Sequence, residues 1–367
     1  MSGLLSAVIA GEIEQVKKEL EAGADIKDVD EQKHTALHLA AFYGYCNIVN
    51  LLLNEAKSQQ EGAIAYINSR NQSGNSALHY AAANGHYEIV KTLINEGAQV
   101  NLQNKQNNTP LHYACLSVKN CNNAAKIVEI LLSHGANIYA INSYGDTPLI
   151  STFIDKMVIT SIRSNVTQLL IDKANHDGKA TDYVNRKNYK EDTALHKAAI
   201  NGSTEDINML LDGGAKIDSQ NGFGYTALHF AANSSRYQIV DLLLSEGANT
   251  GLKISKKNSF IGMTALDLAR KRGCKDIIRL LENAMPQKDQ EDKTHADDVT
   301  VLVLKGDELV ELARPNNEES PDSKKHKPPK IGSGANPSGP ESRNPTKYAR
   351  KESSIGAAAG AAGGRGF

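Results

Sequence analysis

The chain has 367 residues, a formal net charge of −1, 40% apolar residues and no tryptophan. That balance argues against general electrostatic adhesion to nucleic acid or an anionic membrane surface, and no run of about 18 apolar residues is present to span a bilayer. Cys46, Cys115, Cys121 and Cys274 form no CxxC pair and residues 1–11 lack the charged start of a signal peptide, so the cysteines read as reduced thiols of an intracellular protein.

Taken in chain order, LLSAVIAGEIEQVKKELEAGAD, from Leu4 to Asp25, predicts two short helices with no entry motif ahead of them. From residue 35 onward an entry motif recurs: TALHLA at Thr35, SALHYA at Ser76, TPLHYA at Thr109, TPLIST at Thr147, TALHKA at Thr193, TALHFA at Thr226 and TALDLA at Thr264. The spacings are 41, 33, 38, 46, 33 and 38, which is 33 with discrete insertions and therefore a repeat array. Threonine or serine at the first place caps a helix, and Pro110 or Pro148 suits the first helical position. Leu37, Ala40 and Ala41 then give one narrow face of a short helix. Gly44, Gly85, Gly202 and Gly273 break the chain, and a second helix follows with paired apolar positions such as Ile48, Val49, Leu52 and Leu53. Gly97, Gly135, Gly214 and Gly247 stand where that helix needs a left-handed cap. Helices this short do not persist alone in water, so each unit must bury its face on the next.

A period of 33 with T-[PA]-L-H-x-A-A, then G-H-x-x-I-V-x-x-L-L, then G-A-x-[IV]-N, resembles the ankyrin family. The resemblance implies an all-α repeat solenoid of about eight helix-turn-helix units with β-hairpin-like fingers. The array is expected over residues 1–285, with an N-terminal cap at 1–29, repeats starting near 30, 71, 104, 142, 188 and 221, and a C-terminal cap at 259–285. It also implies that the motif histidines His38, His79, His112, His196 and His229 hydrogen-bond locally and tie neighbouring units together. One repeat apart, about 10 Å, they are too distant to share a zinc held at about 2.0–2.1 Å. Ile150 and Asp267 depart from the pattern at that place.

Insertions interrupt the consensus. After Leu53 and after Leu170, NEAKSQQEGAIAYINSRN and IDKANHDGKATDYVNRKN resemble each other, and a lengthened second helix followed by a longer finger is expected in both. A third finger insert contains KISKKNSF. Two five-residue inserts, near Ser117–Ala124 and Ile154–Arg163, are expected to stack on the edge opposite the fingers.

Binding surfaces of the family, the finger tips and the concave side of the first helix, carry over to particular positions. On the concave side these are Phe42, Tyr43, Asn84, Leu116, Ile200, Asn201 and Asn233, with the adjacent pair Phe42 and Tyr43 foremost because aromatic anchors dominate interface energies. Near the tips of the last four fingers stand Tyr144, Tyr189, Phe223, Tyr225 and Phe260. Charge is sorted as well: eight acids and three lysines lie between Glu12 and Glu31, and eight bases and two acids between Gly251 and Leu281. Interleaved aromatics are not evident in the basic stretch, so nucleic acid is not the expected partner.

Residues 286–314 hold eight acids and four bases around VTVLVLKGDELVEL, a strand or a short amphipathic segment. Its acidic run at 289–298 is a candidate to fold back on the basic last repeat. Residues 315–367 hold seven of the ten prolines and two aromatics, a composition expected to be disordered. SKKHKPPK, from Ser323, has the form of a nuclear import signal, and the Gly/Ala run before Arg365 is too short to span a membrane. No hydrolase, kinase, nucleotide-binding or zinc motif is present, so neither an enzyme nor a cofactor is expected. The expected function is a non-catalytic scaffold for protein partners, without a small-molecule substrate. The abundance of Asn, Ile and Lys resembles ankyrin proteins of intracellular bacteria that act on host proteins, which makes an exported effector one reading. A nuclear regulator that masks its partner is the alternative.

Overall fold

The computed structural model describes residues 2–59, 62–116, 123–154, 160–255 and 260–285, together with the backbone of two strands at 302–305 and 308–311. The chain divides into two compact units, Met1–Pro286 and Gln287–Phe367.

The first unit is a stack of paired antiparallel helices. Its inner row is α1 (Gly3–Ala10), α3 (Ala36–Tyr43), α6 (Ala77–Ala83), α8 (Pro110–Leu116), α10 (Pro148–Ser151), α13 (Ala194–Asn201), α15 (Ala227–Asn233) and α17 (Ala265–Arg272). The outer row is α2 (Ile13–Glu21), α4 (Cys46–Ser58), α7 (Tyr87–Asn95), α9 (Ala124–Ser133), α11 (Thr160–His176), α14 (Thr204–Asp212), α16 (Tyr237–Ser245) and α18 (Lys275–Asn283). Inner helices touch inner helices and outer touch outer along the chain, so the core is a continuous strip between the two rows. The repeated small and branched residues line it: Leu37, Ala40, Val49, Leu52, Leu78, Ala81, Leu111, Leu149, Ala198, Leu210, Val240 and Leu281 are buried. A single pair has no such strip, which is why the fold exists only as an array.

The two related insertions fold differently from the expected long fingers. The outer helices α4 and α11 are lengthened, to 13 and 17 residues, but each is followed by a further short helix, α5 (Ala63–Ile67) and α12 (Ala180–Val184). Tyr66 and Ile67, and likewise Tyr183 and Val184, are buried, so an apolar pair anchors each added turn and the finger that follows keeps its normal length. The inserts at 117–122 and 155–159 lie outside the described residues.

Seven fingers project from the inner row: six are closed by a backbone bond across a five-residue turn, from Asp30 N–H to the His34 carbonyl at the first, and the last has a bond from Ile254 N–H to the Met263 carbonyl, with residues 256–259 between them outside the described residues. Among the described residues, only the first finger reaches the pairing of an isolated strand bridge, between Val29 and Thr35. Each finger after the first donates one backbone N–H to the preceding tip: Gln72 to Gln32, Lys105 to Ser73, Ser143 to Gln106, Tyr189 to Tyr144, Gly222 to Lys190 and Ser255 to Phe223, at 2.7–3.2 Å. Beneath the tips runs a buried side-chain ladder. Asn104 Nδ2 donates to Asn75 Oδ1 at 2.8 Å, Asn142 to Asn108 at 3.1 Å, Asn188 to Asp146 at 2.7 Å and Asn221 to Asp192 at 2.6 Å. Within each finger the same asparagine Oδ1 accepts the N–H four residues on, as from Asn108, Asp146, Asp192 and Tyr225. The asparagines of the [IV]-Asn exit form a third, exposed row: Asn68, Asn101 and Asn185 donate to the Gly97, Gly135 and Gly214 carbonyls of the next outer-helix caps.

In the second unit, strands β1 (Leu302–Lys305) and β2 (Glu308–Glu311) pair antiparallel, with Leu302 opposite Glu311. Within the apolar stretch, residues 302–305 and 308–311 are thus paired strands, the first of the two expected alternatives. The acidic run at 289–298, the import-like sequence and residues 315–367 lie outside the described residues.

Asn104 serves four partners at once, because its oxygen accepts from Gln106 and Asn108 and its amide donates to Asn75 and the Tyr113 hydroxyl. We expect Asn104→Ala to lower the unfolding free energy by about 2–4 kcal/mol, the cost of orphaned buried groups, and Asn101→Ala on the exposed row by about 1 kcal/mol or less. Urea unfolding of the full chain measures both, and equal losses would refute the ranking.

Candidate partner-binding surface

The motif histidine closes a box with the residue three places before it. At His38, the Thr35 hydroxyl oxygen lies 3.5 Å from the His38 N–H and 2.8 Å from Nδ1, and the Thr35 backbone N–H donates to Nδ1 at 3.2 Å. Nδ1 is therefore the unprotonated nitrogen, and Nε2–H donates to the Asn75 carbonyl of the next finger at 2.9 Å. His79 reaches the Asn108 carbonyl, His112 that of Asp146 and His196 that of Tyr225 in the same way. His229 faces the Met263 carbonyl across a longer finger, and its Nε2 lacks a closed hydrogen bond. Asp267 accepts both cap protons from Thr264 but, as a carboxylate, has no proton to offer a further unit. At Ile150 only the cap remains, and other groups hold units five and six together: the Asn201 amide donates to the Phe153 carbonyl at 2.9 Å, and the buried Arg163 donates to the Asn201 carbonyl and pairs with Asp206.

With its repeating positions spent on cohesion, the array offers a partner only its variable ones. Phe42 and Tyr43 are half-buried at the end of α3, edge to face at 5.1 Å. Tyr43 stacks on Tyr45 at 5.6 Å, and Phe42 meets Tyr80 of the next unit edge to face at 5.7 Å. This four-ring cluster spans two units. Tyr80 itself is held, its hydroxyl receiving the Asn71 amide at 2.8 Å and lying 2.9 Å from His34 Nε2. Tyr45, Tyr80, Tyr113 and Phe230, none of them among the sequence candidates, are further aromatics on or behind the inner row. Three of them sit immediately after the motif histidine, a variable place flanked by repeating ones, and that is the signal by which they were findable.

The remaining candidates are scattered rather than gathered. The Asn84 amide donates to the Tyr80 carbonyl, Asn233 Oδ1 accepts from Arg272, and the Ile200 carbonyl accepts from Arg236. Leu116 is half-buried at the end of α8. At the fingers, Tyr144, Tyr189 and Phe223 are exposed, whereas Tyr225 stacks on Phe230 at 5.2 Å. Phe260 lies under the Lys271 ammonium, 4.4 Å from the ring centre, so the basic stretch from Gly251 to Leu281 does carry an aromatic, Phe260 itself. Cys115 is buried, and burial pushes its thiol up to about 12, so it is not a nucleophile at neutral pH.

Two comparisons bear on this architecture. Models described as ankyrin repeats match residues 32–61, 58–142, 122–221 and 195–294, which is most of the chain. The chain belongs to the ankyrin repeat family. Among curated relatives, this ankyrin chain is 26% identical to the B-cell lymphoma 3 protein homolog of Mus musculus over 217 residues, 59% of this chain and 44% of that one. It is 29% identical to transient receptor potential cation channel subfamily A member 1 of Homo sapiens over 281 residues, 75% of this chain and 23% of that one. It is 40% identical to an ankyrin repeat protein of Rickettsia bellii over 85 residues, 23% of this chain and 35% of that one. The chain spans less than half the length of each of these relatives. Ankyrin repeats are protein–protein interaction modules, and no helix among the described residues is long and apolar enough to cross a membrane.

Burial, the first cause in each case, depresses the motif histidines: His38, His112 and His229 to about 4 and His79 to about 3, with His196 also lowered. The unfolded chain takes up protons below about pH 6.5, and the folded array does not until about pH 4. Stability from this source is full above pH 6.5 and declines as the pH falls from there toward 4. The raised carboxyls of Asp146 and Asp206 work in the opposite sense. We expect the urea midpoint to fall between pH 7 and pH 5, and the His79 ring protons to show no titration by NMR above pH 5. A His79 midpoint near 6.5 would rule out the depressed histidine.

Proposed function

We propose that the array is a non-catalytic scaffold that holds a protein partner on the inner-helix aromatics and the finger tips. One observation carries this reading: the accessible aromatic side chains stand at variable places of the repeat, on a backbone that inter-unit hydrogen bonds already hold in place. Phe42 and Tyr43 belong to a cluster built across α3 and α6, so their rings lose little conformational freedom when a partner covers them. The half-buried aromatic pair is the kind of anchor on which interface energies concentrate. The likeness of 85 residues to a Rickettsia bellii ankyrin protein, together with the Asn, Ile and Lys bias, supports a partner within a host cell, reached by export.

The full chain and its Phe42→Ser, Tyr43→Ser variant, compared as baits against eukaryotic and bacterial lysates, test the site. The expected outcome is a eukaryotic protein retained by the native chain and reduced at least tenfold with the variant, while the far-ultraviolet circular dichroism of the two baits is the same. Equal capture by both baits would remove the aromatic pair from the interface. Capture of no protein by either would count against the scaffold itself.

A further inference from the structure

A hollow of about 310 Å³ opens between the first finger and the inserted helix α5. That is the lower end of the range for ligand sites, enough for a side chain rather than a larger molecule. Val29, Ala65 and Tyr66 give it apolar walls, and Val29 is 48% exposed. Lys27, Lys33 and Arg70 stand around it, and among the described residues that line it none is acidic. None of the three cations has a carboxylate partner among the described residues. Arg70 is held by the Gly74 and Gln103 carbonyls, which leaves its charge uncompensated. Of the acids on the same finger, Asp25 and Asp30 accept from the finger's own N–H groups, and Asp28 and Glu31 do not line the hollow.

The related second insert shows what fills this place. Counted back from the entry threonines Thr35 and Thr147, Lys27 corresponds to Tyr139. Counted on from Leu53 and Leu170, Gly62, Ala65, Tyr66 and Ser69 correspond to Lys179, Asp182, Tyr183 and Arg186. In the second insert the Tyr139 ring meets the buried Tyr183 edge to face at 5.4 Å. The Lys179 ammonium lies 5.5 Å and the Arg186 guanidinium 5.8 Å from the centre of the Tyr139 ring. In the first insert all three parts are gone: Lys27 replaces the ring, and Gly62 and Ser69 replace the two cations. The Lys27 chain crosses toward Gly62, its Nζ 3.9 Å from where a Cβ there would stand, and the hollow stays open. The buried tyrosine is kept, as Tyr66, whereas the acid is lost, Ala65 standing at the place of Asp182.

We propose that this hollow takes an aromatic side chain of a partner protein whose flanking residues are acidic; the proposal rests on the scaffold reading and adds a contact to it. The incoming ring stands against Tyr66 as Tyr139 stands against Tyr183, and Lys27 and Arg70 take the part of Lys179 and Arg186 beside it. Aromatic side chains are also the ones on which interface energy concentrates. Three cations without carboxylate partners favour a negative segment around that ring and oppose a basic one. The site is separate from Phe42 and Tyr43, since none of its lining residues belongs to their ring cluster.

Fluorescence anisotropy with the full chain tests this, using the labelled peptide Gly-Asp-Glu-Asp-Tyr-Asp-Glu-Asp-Gly. One control peptide has alanine in place of the tyrosine, and another has lysine in place of every acid. We expect the first peptide to bind at least tenfold more tightly than either control. Lys27→Tyr with Ser69→Arg gives the first hollow the residues of the second and should weaken binding at least tenfold by filling it. Lys27→Glu with Lys33→Glu should weaken binding at least fivefold, an effect that shrinks at high salt. Both lysines are exposed, so the thermal midpoint of that variant should be unchanged, and it decides the matter if the filled variant is less stable. Equal binding of the first peptide and either control, no binding of any, or unaltered binding by the charge-reversed variant would overturn the proposal. A lysate partner lost with Phe42→Ser, Tyr43→Ser but captured equally by the hollow variants, with no peptide bound, would leave the scaffold standing and remove only this site.

Discussion

Every finger of this array is a turn whose backbone lies too close to the core to be left to water, and the structure depends on how those buried polar groups are satisfied. A buried N–H or carbonyl without a partner costs about 1–3 kcal/mol, and seven fingers multiply the problem. The solution is to lend each unit's side chains to the next. Asn104 holds its own turn with Oδ1 and the preceding finger with Nδ2, while His79 caps its own helix with Nδ1 and grips the following finger with Nε2. Neutral, bifunctional groups suit this task because they accept on one side and donate on the other. Where a carboxylate enters the ladder, at Asp146 and Asp192, it takes the accepting place and a neighbouring asparagine supplies the proton.

This relay also explains the exceptions. At the fifth pair Ile150 cannot bridge, and the cohesion passes to the buried Arg163 and Asp206 between α11 and α14, with the half-buried Asn201 at the end of α13. At the last pair, Asp267 closes the cap without a donor for a further finger. The places that repeat along the motif are buried, and the accessible aromatics Phe42, Tyr43 and Tyr45 and the exposed tips stand at places that vary. A family defined by the first set of residues says little about the second, so the relatives share an architecture across proteins as different as a cation channel subunit and a Rickettsia protein.

Much of this was legible in the linear chain. The threonine, leucine, histidine and paired alanines recur with a period that admits one architecture, and Gly97, Gly135, Gly214 and Gly247 do adopt the left-handed conformation their places require. The inserts were legible as insertions but not as helices. AIAYI and ATDYV are too short for periodicity to distinguish a helix from a finger, and burial of Tyr66 and Tyr183 against their neighbours decides the matter. Phe42 and Tyr43 were visible as neighbours, whereas Tyr80, 37 residues on from Tyr43, joins them only through the stacking of α6 on α3.

The sequence by itself determined the repeat, its register and the residues that bind unit to unit, because those interactions are local to a motif or separated by one period. The tertiary structure alone decided which variable residues face outward together. Tyr144, Tyr189 and Phe223 come out exposed on consecutive fingers, because units far apart in sequence are brought side by side by the packing of helices behind them. Exposure and adjacency of that kind are properties of the stacked surface, and no single repeat contains them.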